Sequence, residues 1–131
     1  MKTNVIDLIE KAIEVRERAY SKYSGFKVGA IVIGDNDKMY KGVNVENKSY
    51  GLTMCAERTA IFSGVTDGMK KLKTIVIVAD TEDVVTPCGA CREVISEFAT
   101  PETEIVLSNL SKKYKIYTIQ ELLPFSFELE E

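Results

Sequence analysis

The feature that most constrains this chain is where its three cysteines fall. Cys55 opens "CAERTAIFSGV", Cys88 and Cys91 stand in "PCGACRE", and there is no histidine anywhere in the sequence. Both stretches read as helix beginnings. A Cys-x-x-Cys pair at a helix start aims two sulfurs at one point, where unpaired backbone N–H groups favour thiolates. By itself that pair fits a redox dithiol, half of a structural zinc site, or the lower half of a catalytic one. Cys55 distinguishes these readings. If all three thiols serve one centre, two helix N-termini far apart in sequence have to converge, and the fold between them must allow it. The plain alternative is three small buried core residues.

The apolar pattern supplies such a fold. Val5, Leu8, Ile9, Ala12 and Ile13 recur at helical spacing, with charges on the other face through Arg18, which predicts an amphipathic opening helix. "YSGFKVGAIVIG" and "KMYKGVNVE", separated by Gly34-Asp35-Asn36-Asp37, read as a β-hairpin. The Ala-rich helix from Cys55 is expected to close at Gly64 or Gly68, and "LKTIVIVAD" is a continuous apolar run suited to a central strand. After the loop "TEDVVTP", Pro87 is placed to open a helix, since its missing N–H costs nothing in a first turn. "TEIVLSNL" and "YKIYTI" give two more strands, "QELLP" a terminal helical turn, and "ELEE" a solvated end. This order predicts an α/β protein: a five-stranded mixed sheet covered on both faces, a three-layer α/β/α sandwich, in one domain spanning 1–131.

At 131 residues with 45% hydrophobic and 28% charged side chains, the chain is long enough for one core. A formal charge of −3 argues against general nucleic-acid binding, which needs a basic footprint. No apolar run approaches the roughly 20 residues a membrane helix requires, and "MKTNVIDLIE" carries acids where a signal peptide needs an apolar stretch. The expected location is the cytoplasm, where a disulfide framework is disfavoured and an odd cysteine count points to metal or redox chemistry.

Three protein ligands are one short of a closed tetrahedral zinc site, so the fourth position is expected to hold a water, as in catalytic sites. Without histidine, proton transfer near neutral pH falls to a carboxylate, lysine, tyrosine or metal-bound water. Glu57, two residues beyond Cys55, is placed to move protons without ligating. Zinc with three thiolates has a formal charge near −1, which calls for a cation nearby; Arg58 and Arg92 are both candidates to donate to the sulfurs.

"CAERTAIF" together with "PCGACRE" resembles the zinc-dependent cytidine deaminase family, in the short form with three cysteine ligands. "YSGFKVGA", "GVNVENKSYG" and "ELLP" follow in the family's order, so the likeness covers nearly the whole chain. It implies one Zn2+ per chain on Cys55, Cys88 and Cys91, with Glu57 as proton shuttle in hydrolysis of cytidine and deoxycytidine for pyrimidine salvage. It further implies that Asn44 and Glu46 hold the ribose, that Phe26 flanks the base, and that backbone groups at Ala56 and Thr86 read the ring. The resemblance also implies a homotetramer, in which Tyr50 and Phe127 of a neighbour complete each site.

Two departures from the family pattern stand out. Lys48 stands where the family commonly has a small residue near the sugar 5′ end, which raises the hypothesis that a 5′-phosphate is tolerated. "PFSF" replaces Pro-Gly-Ala-Phe, so either Phe125 or Phe127 meets the base. Met54 either touches substrate or packs. Competing readings are a blasticidin S deaminase, a polynucleotide editor, disfavoured by the acidic chain, and a non-catalytic zinc or redox module, which has no use for Glu57.

Overall fold

The computed structural model describes residues 4–129. In chain order the elements are α1 (Val5–Arg16), β1 (Val28–Gly34), β2 (Met39–Val43), a short 3-10 turn (Tyr50–Leu52), α2 (Ala56–Thr66), β3 (Leu72–Ala79), α3 (Gly89–Phe98), β4 (Ala99–Asn109), β5 (Tyr114–Tyr117) and α4 (Ile119–Leu122). The sheet order is β2-β1-β3-β4-β5. β3 and β4 run parallel, joined through α3; the other neighbours are antiparallel.

The period of two in the strands explains the layers. On β3, Val76 and Val78 turn to one face, where they meet Leu8, Ile9 and Ala12 of α1. Ile75 and Ile77 turn to the other, packing with Ala56, Ala60 and Ile61 of α2, Ile95 of α3 and Leu122 of α4. A strand buried on both faces has no polar side to show, which is why "LKTIVIVAD" lacks alternation. The mixed five-stranded sheet with helices on both faces is the expected α/β/α sandwich.

Several boundaries differ from the sequence reading. α1 stops at Arg16, two residues short of Arg18. β1 begins at Val28, not in "YSGFK": Gly25 has φ +71, and Tyr23 to Phe26 form a loop held by side chains from below. β2 ends at Val43, but isolated bridges from Val45 to Tyr20 and Met54 continue an extended course through Asn44 and Glu46. α2 contains Gly64 and closes before Gly68, whose φ of +100 suits a residue without Cβ. Pro87 does not open α3. Cys88 has extended backbone and is the N-cap, its sulfur accepting a hydrogen bond from the Cys91 N–H, so helical geometry starts only at Gly89. β4 starts at Ala99, earlier than Thr103, with a register break opposite Leu72–Thr74. Of the expected solvated end, Glu128 and Leu129 are exposed; Glu130 and Glu131 lie outside the described residues.

Candidate active site

The two helices that carry cysteine begin side by side. Cys55 is the N-cap of α2 and Cys88 the N-cap of α3, so both sulfurs sit among backbone N–H groups lacking intrahelical partners. Cys91 is the third residue of α3, fully buried. The three Sγ atoms lie within 4.8 Å of one another, and Cys55 Sγ is 4.0 Å from Cys88 Sγ. A tetrahedral zinc with bonds of about 2.3 Å to sulfur sets its ligands about 3.8 Å apart, so this soft donor set fits zinc with little movement.

Local electrostatics prepare the sulfurs for a cation. The hydrogen bond from the Cys91 thiol, with Arg58 beside it, holds the Cys55 thiol down at about 5. Cys91, which gives that hydrogen bond and is buried near Glu57, is pushed the other way. These opposite shifts share one cause, the hydrogen bond between the two sulfurs, with the Arg58 guanidinium favouring thiolate at Cys55. Arg58 Nη2 donates to Cys55 Sγ at 3.3 Å.

Glu57 follows on the first turn of α2, only 5% exposed, the one carboxylic acid among the buried described residues. Burial, with the charge on Cys55 next, pushes its carboxyl above the usual range. Ala56, between ligand and acid, is fully buried against the sheet.

The backbone bridge between Val45 and Met54 lashes the Asn44–Glu46 segment to the entrance of α2. Its side chains hold the Tyr23–Lys27 loop and the first residue of β1. Asn44 Oδ1 accepts from the Val28 N–H at 2.9 Å and Asn44 Nδ2 donates to the Phe26 carbonyl at 2.8 Å. Glu46 Oε1 accepts from the N–H groups of Tyr23 and Ser24, each at 3.0 Å, and Oε2 from the Ser24 hydroxyl. These bonds, led by the hydroxyl, keep the Glu46 carboxyl below its usual range. Tyr23, Ser24, Glu46, Tyr50 and Thr53 line a cavity of about 440 Å³, Thr53 standing two residues before Cys55. Phe26 is partly exposed, and Met54 partly buried.

Other sequence candidates fall elsewhere. Tyr50 is 80% exposed on the cavity wall, while Phe125 and Phe127 are exposed beyond α4. Thr86 is exposed one residue before the buried Pro87, and Lys48 is exposed outside the cavity lining. Arg92 does not approach the sulfurs. Its guanidinium reaches the carbonyls of Pro87 and Leu122, leaving Arg58 as the cation at the thiolates. The sequence pattern assigns no site role to Ser24, Thr53 or Asn109. Asn109 Nδ2 donates to the Glu82 carbonyl at 2.9 Å, steadying the loop before Thr86. Only the Ser-Gly pair at Ser24 carried a visible hint, as a turn former.

Three thiols and a buried acid, delivered by two helix N-termini at one end of a mixed sheet, define a mononuclear zinc-binding α/β protein. The model of the cytidine and deoxycytidylate deaminase zinc-binding region matches residues 2–107. A cytidine deaminase of Sporosarcina psychrophila is 44% identical over 128 residues, covering 98% of this chain and 94% of the relative. Another, of Halalkalibacterium halodurans, is 45% identical over 124 residues, covering 95% and 94%. The crystal structure of cytidine deaminase from Burkholderia pseudomallei superposes with a TM-score of 0.91 at 42% identity, covering 95% of this chain and all of that one. The chain belongs to the cytidine and deoxycytidylate deaminase family.

Proposed function

We propose that this chain, acting as a single domain over residues 1–131, hydrolyses cytidine and deoxycytidine to uridine and deoxyuridine with release of ammonia, as a step of pyrimidine salvage in the cytoplasm. The observation that carries this reading is Glu57: a buried acid next to a cluster of three cysteine sulfurs, in a chain whose relatives at 44% and 45% identity are cytidine deaminases. Held by Cys55, Cys88 and Cys91, zinc supplies the Lewis acidity that makes water a nucleophile near neutral pH.

The rest of the chemistry belongs to the chain's own side chains. The water oxygen bonds to C4 of the pyrimidine, the C4–N4 bond breaks, and the protons must travel from the water to the ring and the departing amine. A Glu57 Oε takes and returns them, and its burial keeps bulk water from competing. Arg58 balances the sulfur charge, and the N–H groups at the two helix starts act in the same direction. Glu46, on the cavity wall, accepts three hydrogen bonds from the loop and keeps about one lone-pair site on Oε2 for a ribose hydroxyl, while Asn44 sets the loop bearing Phe26 and keeps one amide hydrogen for the sugar. Backbone groups at Ala56 and Thr86 read the ring.

The exposure of Tyr50 and Phe127 supports a homotetramer whose neighbouring subunits close each site, since aromatic side chains that large favour burial. The weak acidity of the chain favours a free nucleoside over a polynucleotide. The test is Glu57→Gln with zinc analysis alongside cytidine turnover followed by ultraviolet absorbance. Expected is full zinc content with turnover lowered by at least about 100-fold; wild-type turnover in the variant would overturn the assignment of Glu57.

A further inference from the structure

We propose that Arg92 is a positioning residue that fastens the loop carrying Thr86 and Cys88 to the C-terminal segment carrying Phe125 and Phe127, setting both with one side chain. Its consequence for substrate rests on the function proposed above. Arg92 directly follows Cys91 in the first turn of α3. Its Nε donates to the Pro87 carbonyl at 2.9 Å and its Nη1 to the Leu122 carbonyl at 2.7 Å. Among the described residues it has no carboxylate partner, so its charge is spent on two carbonyls.

Those carbonyls lie where the backbone is otherwise poorly held. Pro87 is buried at the end of a stretch without regular structure, and proline brings no N–H of its own to tie that stretch down. Leu122 ends the four-residue α4, where carbonyls lack intrahelical partners. Beyond it the chain leaves through Leu123 and Pro124 to Phe125, which has φ +60. A guanidinium presents diverging donors in a fixed plane, so one arginine can hold both carbonyls at a set separation; a lysine ammonium on a flexible stem cannot fix that geometry. Movement of the C-terminal aromatics is thereby tied to movement of the loop that supplies Thr86 and the Cys88 ligand.

The test uses the full-length, zinc-loaded chain with Arg92→Ala and Arg92→Lys, read by amide hydrogen exchange and by steady-state kinetics on cytidine. Expected in Arg92→Ala is exchange faster by about ten-fold at Thr86, Cys88 and Gly89 together with Leu123, Phe125 and Phe127, the size of one or two lost hydrogen bonds. Zinc content stays at one per chain, KM rises by a similar factor, and kcat changes much less. Arg92→Lys shows the same paired loosening to a smaller degree, and decides the matter if the alanine variant does not fold. Adding Arg92→Ala to Phe127→Ala raises KM less than it does in the wild type, because the two act through one segment. Loosening of one segment alone, loss of zinc, or fully multiplicative KM effects would each overturn the clamp. If the wild-type chain fails to turn over cytidine, the proposed function falls, while paired exchange still decides the clamp.

Discussion

Arg58 donates from Nη2 to the Cys55 sulfur across 3.3 Å, one helical turn from its acceptor on the same helix. The contact raises the already high pKa of Arg58, chiefly through that hydrogen bond, so this cation does not give up its charge. Its Nε is buried without a partner among the described residues, leaving a donor in reserve when the cluster takes on further thiolate charge. Arg58→Gln should therefore weaken zinc binding by about 10- to 100-fold, measured by competition with a chromogenic chelator. Arg58→Lys should recover part of the loss, since it restores the charge but not the fork. Equal affinities in all three proteins would show that the arginine is not compensating the sulfurs.

Zinc should also support the fold. The cluster adds a tie between the start of α2 and the start of α3, whose later turns already meet in one apolar cluster through Ala60, Ile61 and Ile95, so an ion bound only by the folded state stabilises that state by mass action. At a free zinc concentration one hundred times Kd the gain is about 2.7 kcal/mol. Thermal unfolding with and without a chelator should show a lower midpoint in the stripped protein, and titrating zinc back should raise it with the logarithm of concentration. A midpoint indifferent to zinc would mean that the helix starts are held equally well without it.

The Glu46 carboxylate anchors the Tyr23–Phe26 loop, and its pKa is depressed by the Ser24 hydroxyl first, then by the N–H groups of Ser24 and Tyr23. The sign follows from linkage. A carboxyl with a folded pKa below its unfolded one contributes stability that is fully present above the ordinary carboxylate range and is lost as pH falls through the folded value. Carbon-detected NMR should find Glu46 titrating below the usual glutamate range, with exchange protection at the Tyr23 and Ser24 amides falling over the same acidic window. Ser24→Ala should move that titration upward. Normal titration of Glu46 in the wild type would remove the basis for its anchoring role.

Much of this arrangement was legible before any coordinates. The continuous apolar run at Leu72–Ala79 marked a strand buried on both faces, and the spacing of Cys55, Glu57, Cys88 and Cys91 marked two helix starts with one purpose. What stayed hidden depended on which backbone groups a side chain finds in three dimensions. Arg92 is as close to a cysteine in sequence as Arg58 is to Glu57, yet a helix turns successive residues by about 100°, which sends Arg92 away from the sulfurs and toward Leu122, thirty residues downstream. For Asn44 the family resemblance implied a sugar ligand, and alternation with Glu46 agreed; the Phe26 carbonyl and Val28 N–H, which occupy most of its amide, come from a loop and a strand start that pattern alone had run together as one strand. The start of α3 falls two residues beyond Pro87 because the sulfur of Cys88, not a hydroxyl or carboxylate, performs the capping.

The distance between β2 and α2 should prove as critical as any ligand. Gly42 lies under the first turns of α2, and a Cβ built there would stand 2.4 Å from the Ala56 carbonyl oxygen and 2.4 Å from the Ala60 nitrogen. Both are backbone atoms, so no side chain can rotate away; the helix itself would have to retreat from the sheet. Because Cys55 caps that helix and Glu57 lies in its first turn, a retreat carries the metal ligand and the acid with it. Gly42→Ala should therefore destabilise the protein by about 1–3 kcal/mol through overpacking, and should also lower zinc affinity and cytidine turnover. Gly51, where an added Cβ meets nothing within 4 Å, provides the comparison: Gly51→Ala should shift stability by no more than about 0.5 kcal/mol. Denaturant unfolding of the two variants, run beside zinc titration, separates the effects. If Gly42→Ala matched Gly51→Ala in both measurements, the sheet would not be setting the height of the helix that carries the site.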